Sequence, residues 1–84
     1  MISIGSFVQV HDYARRFKGV VCNIRGNGMV MEYYVITKRS GHGSWLNRRW
    51  VQFISDLTTE ELLTHKSAMV RELGKTKMSV TVYD

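Results

Sequence analysis

Hydrophobic and polar positions alternate through the first two-thirds of this chain and change period in the last third. Val8 and Val10 alternate with Gln9 and His11, the two-residue period of a half-buried strand. Val20, Cys22 and Ile24 alternate with Val21, Asn23 and Arg25 and predict a second strand. Gly26-Asn27-Gly28 follows, and Asn-Gly predicts a hairpin because both residues tolerate positive φ. A third strand is expected from about Met29 to Lys38, rich in the aromatic and β-branched residues that pack on a pleat. The loop Arg39-Ser40-Gly41-His42-Gly43-Ser44 ends it, and a fourth strand region covers Trp45 to Ile54, with a break near Asn47. The expected product is a curled antiparallel sheet.

A helical pattern then takes over. Thr58-Thr59-Glu60-Glu61 has the form of a capping box, and Leu57 and Leu62 occupy the positions of a hydrophobic staple. Leu62, Met69 and Leu73 share one helical stripe, widened by Leu63 and Val70. Glu60 and Glu61 lie at the positive end of the helix dipole and Arg71 and Lys75 near its negative end. Gly74 is placed to end the helix in a left-handed cap, so the helix is expected over about 58 to 73. Beyond it Met78, Val80 and Val82 alternate with Ser79, Thr81 and Tyr83, which predicts a final strand able to pair with an open sheet edge.

At 84 residues the chain is one domain, 1–84, divided between a β portion over 5–57 and a helix with a terminal strand over 58–84. A chain of this size buries only about 60% of the surface its unfolded form exposes. Its 44% hydrophobic and 23% charged residues are those of a folded chain rather than a disordered one. No apolar run is long enough to span a membrane, and the first residues lack the basic and apolar blocks of a signal peptide. The single cysteine, Cys22, allows no internal disulfide and fits a reducing, cytoplasmic setting.

The formal charge of +5 favours a polyanionic or acidic partner. Its distribution says more than its total. Up to Leu57 there are eight basic and three acidic side chains; from Thr58 onward there are four of each. The whole surplus therefore belongs to the expected strands and their loops.

Gly5-Ser6-Phe7-Val8-Gln9-Val10 followed by Phe17-Lys18-Gly19-Val20-Val21 resembles the opening of a Src homology 3-like small barrel. More narrowly it is similar to the KOW pattern, in which a hydrophobic strand, a loop and a glycine precede a second hydrophobic strand, with Gly19 at the glycine's place. Tyr33-Tyr34-Val35-Ile36 and Trp50-Val51-Gln52-Phe53 are compatible with the remaining strands, so the resemblance spans residues 5 to 57. The loop from Val10 to Gly19 departs from the pattern: it carries Tyr13, Arg15, Arg16 and Phe17 and no glycine of its own. The resemblance implies a five- or six-stranded, partly open antiparallel barrel, mainly β, with the helix and last strand appended. KOW and Tudor-type barrels bind RNA, DNA or proteins of the nucleic-acid machinery, and the resemblance implies the same class of partner here. Fold alone does not assign function.

Catalysis is not expected. Cys22 has His11, His42 and His65 as candidate bases, but its place in the alternation is that of a small core residue. The three histidines and one cysteine lack the spacing of a metal site, and Gly41-His42-Gly43 lacks the lysine and helix of a phosphate loop. His65 reads as a solvated or edge residue of the helix. No cofactor is expected.

Two clusters mix cations with aromatics, the combination that releases counterions from phosphates and stacks on bases. The first is Tyr13, Arg15, Arg16, Phe17 and Lys18; the second is Lys38, Arg39, His42, Trp45, Arg48, Arg49 and Trp50. Trp50, flanked by Val51 and Phe53, reads as core. Trp45 is open between core and surface, and the two Arg-Arg pairs between a solvated face and a binding face. Of the adjacent Tyr33 and Tyr34, one packs inward and the other is a candidate surface aromatic. The expected binding residues are Tyr13, Arg15, Arg16, Lys18, Lys38, Arg39, His42, Trp45, Arg48 and Arg49. The expected function is a non-catalytic module binding nucleic acid, or a protein that works on it, through this basic and aromatic face. The alternative is an inhibitor or adaptor of phage or mobile-element type that docks on a host protein. A third expectation is an oligomer formed through the terminal strand.

Overall fold

The computed structural model describes the backbone of residues 1–83 and the side chains of residues 1–78. Its strands are β1 (Ser6–His11), β2 (Arg16–Arg25), β3 (Glu32–Thr37), β4 (Gly43–Asn47) and β5 (Val51–Asp56), followed by the helices α1 (Thr59–Leu63) and α2 (Ala68–Tyr83). The strands form one antiparallel sheet in the order β4-β3-β2-β1-β5. β4 and β5 are thus opposite edges, and in a flat sheet four strand spacings would hold them about 19 Å apart. Asn47 ends β4 and Val51 begins β5, with only the 3-10 turn Arg48–Trp50 between them. Four residues reach at most about 14 Å. The sheet is therefore strongly curled.

The curl explains how the sheet buries one face without a helix. Val8, Val10, Val21, Tyr33, Val35, Leu46 and Val51 come from all five strands and form one core, with Phe17, Ile24 and Trp50 packed against it. On the opposite face Val20, Cys22 and Ile36 meet Leu62 of α1 and Val70 of α2, joined by Phe7, Tyr34, Leu57 and Leu73. β2 serves both cores. A register shift between Val21 and Asn23 places Ile24 on the first core rather than beside Val20 and Cys22, where strict alternation put it. Gly19 sits where β2 passes closest to β3. A Cβ there would collide with the Ile36 carbonyl oxygen and stand 2.8 Å from Val35 Cγ1.

Several boundaries differ from the sequence reading. β3 starts at Glu32, not Met29, because the β2–β3 connection is no two-residue hairpin: Asn27 is extended at φ −150° and residues 28–30 form a 3-10 turn. The positive φ values fall on the flanking Gly26 (74°) and Gly28 (54°). The break near Asn47 is present, and its side chain accepts from the Arg49 N–H at 3.0 Å.

The helix expected over 58 to 73 is two helices. Its start is as read: Thr58 Oγ1 accepts from the Glu61 N–H at 3.1 Å and Glu61 Oε1 accepts from the Thr58 N–H at 3.0 Å. The chain then breaks at 64–67. Thr64 turns its hydroxyl back onto the Glu60 carbonyl at 3.0 Å, and His65 Nδ1 accepts the Ser67 N–H at 3.0 Å. Arg71 Nη1 holds the break by donating to the His65 and Lys66 carbonyls at 2.7 and 2.8 Å. In one continuous helix Leu62 and Gly74 would be about 18 Å apart. Instead a Cβ on Gly74 would lie 3.0 Å from Leu62 Cβ, so α2 folds back over α1. Gly74 is inside α2 and buried; it admits a close helix contact and ends nothing. The break also rotates Met69 outward, half-exposed, while Val70 is fully buried. Met78 and the residues beyond it continue α2 to Tyr83 in place of the expected strand. The described residues form five strands and two helices, and the segment expected to make an oligomer contact as a terminal strand is helical through Tyr83.

Candidate functional site

The β1–β2 loop is built around Asp12. Its Oδ1 accepts the backbone N–H groups of Ala14 at 2.8 Å and Arg15 at 2.6 Å, and its Oδ2 pairs with the Arg15 guanidinium at 3.2 Å. The Ala14 N–H first, then the Arg15 contacts, hold the Asp12 carboxyl below its usual range despite some opposing desolvation. The closed turn presents Tyr13 to solvent at 92% exposure, edge-on to the Trp50 ring with centroids 6.3 Å apart. Arg15 stacks 5.4 Å from the Phe17 ring, and Arg49 5.3 Å from that of Trp50. In register, Val10 stands between Phe17 on β2 and Val51 on β5. That is how Phe17 and the end of the 3-10 turn come to the same end of the sheet. Residues 37 positions apart, Tyr13 and Trp50, thus join the two sequence clusters into one patch.

On the helix-bearing face, two adjoining depressions cross the ends of β1, β2 and β3. One is lined by Gln9, His11, Arg16, Phe17 and Lys18; the other by Arg16, Phe17, Lys18, Thr37, Lys38 and Arg39. They share Arg16, Phe17 and Lys18 and so form one groove. Among the described residues no acidic side chain lines it, and Arg16, Lys18, Lys38 and Arg39 form no ion pair. Alternation sets Arg16 and Lys18 on one face about 6.6 Å apart along the strand. Arg16 Nε donates to His11 Nε2 at 3.2 Å, which fixes the guanidinium at the groove wall. Lys38 also lies 5.5 Å over the Phe7 ring, and its charge contributes, after the Thr58 hydrogen bonds, to keeping the Glu61 carboxyl low.

Other expected residues are elsewhere. Trp45 sits on β4, half-buried, edge-on to Tyr34 at 5.3 Å and beneath the Arg25 guanidinium at 4.0 Å. Arg25 is itself held by Glu32 at 2.8 Å. The depression there is lined by Cys22, Asn23, Tyr34, Trp45 and Met69 and contains none of the groove cations. Arg48 begins the 3-10 turn with its backbone N–H on the Met31 carbonyl at 3.0 Å, beside the β2–β3 connection. His42 is exposed in the β3–β4 turn and lines neither part of the groove. Of the two tyrosines, Tyr33 is the buried one, at 8% exposure, and Tyr34 packs beneath the helices.

Sequence reasoning missed Gln9 and His11 as groove residues and Trp50 as half of an aromatic pair. His11 carried a signal only through its place at the end of β1 beside a short loop; the ladder sets it directly opposite Arg16, on the same face. His65 was expected as a solvated or edge residue of the helix. It lies in the break between α1 and α2 with its Nε2 buried, and burial, then Arg71 and Lys38, lower its pKa from the ordinary 6.5. Burial pushes the Cys22 thiol up to about 11, and its Sγ faces the Val20 carbonyl at 3.6 Å. Among the described residues no group of three His, Cys, Asp or Glu side chains is placed to hold a metal ion, and no helix is long and apolar enough to cross a membrane.

Set against protein families, curated proteins and solved structures, the chain matches none.

Proposed function

We propose that the protein is a non-catalytic module that binds nucleic acid through the groove of Arg16, Lys18, Lys38 and Arg39. The observation that carries this reading is the groove itself: two cations at the start of β2 and two in the turn just beyond β3, without an acidic side chain among its lining residues. Clustered cations without counter-charges cost stability unless a polyanion supplies the counter-charge. Phosphate contacts of this kind position a chain without reading its sequence. The lack of a catalytic role is part of the proposal; a cysteine that stays a thiol at neutral pH supports it.

The sheet is, in this proposal, a Src homology 3-like barrel left open between β4 and β5, of the KOW or Tudor type. Support comes from its curl, from the strand order, and from Gly19, whose close contact with β3 gives a steric reason for a glycine at the KOW position. The site is expected to work in the cytoplasm.

Anisotropy titrations of labelled RNA and DNA at several salt concentrations test the reading. Log affinity is expected to fall linearly with log salt. Absence of binding tighter than about 100 μM at low salt, weaker than ordinary non-specific affinity, would remove it. One observation favours the docking alternative: Ile54, 42% exposed, borders a cleft of about 440 Å³ shared with Phe7 and Leu57. A stoichiometric protein partner that survives nuclease treatment, together with silent titrations, would select it.

A further inference from the structure

We infer that the nucleic acid is single-stranded, its backbone following the groove and its bases stacking on a platform made by Tyr13 and Trp50. This rests on the nucleic-acid reading and narrows it. The groove supplies charge alone, and a duplex or a single strand satisfies it equally. The platform does not treat them equally. Tyr13 is 92% exposed, yet its loop is fixed by the two N–H bonds to Asp12 Oδ1 and by the Asp12 N–H to the Arg15 carbonyl at 3.1 Å. A backbone already held in place while its aromatic ring stands in water leaves less conformational freedom to lose when a base covers the ring. At 92% exposure the tyrosine ring stays open to a stacking base despite its edge contact with Trp50. Arg49 lies at the Trp50 ring, placing a cation beside the stacked position.

Phe17 ties platform to groove. It lines both halves of the groove from β2, while its ring packs on the first core and carries Arg15; the loop that displays Tyr13 runs between His11 and Arg16 of the groove wall. In a duplex the bases are paired and stacked on one another, and only phosphates reach the protein. In a single strand each base offers a free face, and aromatic stacking of one base changes affinity by about 5- to 150-fold.

The test uses the whole chain with an oligonucleotide of about 10 nucleotides and the duplex of the same sequence, titrated by anisotropy at one low salt concentration. The single strand is expected to bind at least about fivefold more tightly than the duplex. Tyr13→Ala, at a fully exposed position, is expected to lower single-strand affinity by about 5- to 150-fold and leave duplex affinity unchanged. In a Trp45→Phe background Trp50 is the only tryptophan, and its fluorescence is expected to quench on adding the single strand but not the duplex. Equal affinities, a silent Tyr13→Ala and unquenched Trp50, with salt-dependent binding retained, would overturn the platform and leave the groove standing. Absence of binding by both probes would overturn both.

Discussion

Lys18 on β2 faces Lys38, the first residue beyond β3, with the Lys38 N–H donating to the Lys18 carbonyl at 3.2 Å. The β2–β3 ladder ends one position earlier, at Gly19 and Thr37, and both lysines line the same depression. Like charges at directly opposed positions destabilise a sheet by a few tenths to about 1 kcal/mol.

Function and stability should therefore respond in opposite directions at this pair. Lys18→Gln/Lys38→Gln is expected to leave the fold as stable or slightly more stable in urea denaturation. The same variant should weaken nucleic-acid binding and reduce the salt slope by roughly 0.7 to 0.9 for each phosphate that is no longer neutralised. An unchanged slope would mean that neither lysine touches a phosphate.

Gly19 is expected to be intolerant for a steric reason. The Ile36 carbonyl that a Cβ would strike belongs to the β2–β3 ladder and cannot move aside as a side chain end can. Gly19→Ala should cost about 1 to 3 kcal/mol, the range for overpacking. Gly28→Ala, where nothing lies within 4 Å and only a φ of 54° is at issue, provides the comparison at about 1 to 2 kcal/mol. Denaturation midpoints of the two variants measure both effects; a Gly19→Ala protein as stable as the parent would refute the close-contact account.

Elements set by neighbouring residues were legible in the sequence. The alternation around Val8 and Val10, the Thr58–Glu61 capping box and the break at Asn47 all depend on side chains within a few positions of one another. What depended on the return of distant chain was not legible. Gly74 has the same local signature whether it ends a helix or admits Leu62 against its backbone, and only the fold-back of α2 decides. The period-two pattern from Met78 onward was real, yet those residues prolong a helix already begun at Ala68. Local preference there yielded to context. In the same way the two cation–aromatic clusters were visible, but not that the curl would join Tyr13 to Trp50 and send Trp45 to Arg25.

Trp45 is consequently expected to matter for stability rather than for binding. Its ring meets Tyr34 and carries Arg25, contacts worth about 0.5 to 1.5 kcal/mol and about 0.5 to 1 kcal/mol respectively. Trp45→Ala should destabilise by about 1 to 3 kcal/mol with nucleic-acid affinity unchanged within about twofold, because binding runs through other residues. A stable Trp45→Ala protein with reduced affinity would return this tryptophan to the interface.

The break between the helices should make stability depend on pH through His65. Its Nδ1 accepts the Ser67 N–H at 3.0 Å, which requires that nitrogen to be unprotonated. Its surroundings add to the demand: burial, Arg71 packed across the break from α2, and Lys38 from the end of β3 all disfavour the imidazolium. The folded pKa therefore lies below the ordinary 6.5 of the unfolded chain. Between those two values the unfolded state binds the extra proton, so the contribution is fully present above about 6.5 and is lost as pH falls through the folded value. His65→Asn keeps a side-chain acceptor for Ser67 without a titrating group. Urea midpoints of both proteins from pH 8 down to pH 5 should run parallel above pH 7. The parent should then fall more steeply once pH drops below 6.5. A difference between the two proteins that stays constant over the whole range would show that His65 takes up its proton equally in the folded and unfolded chain.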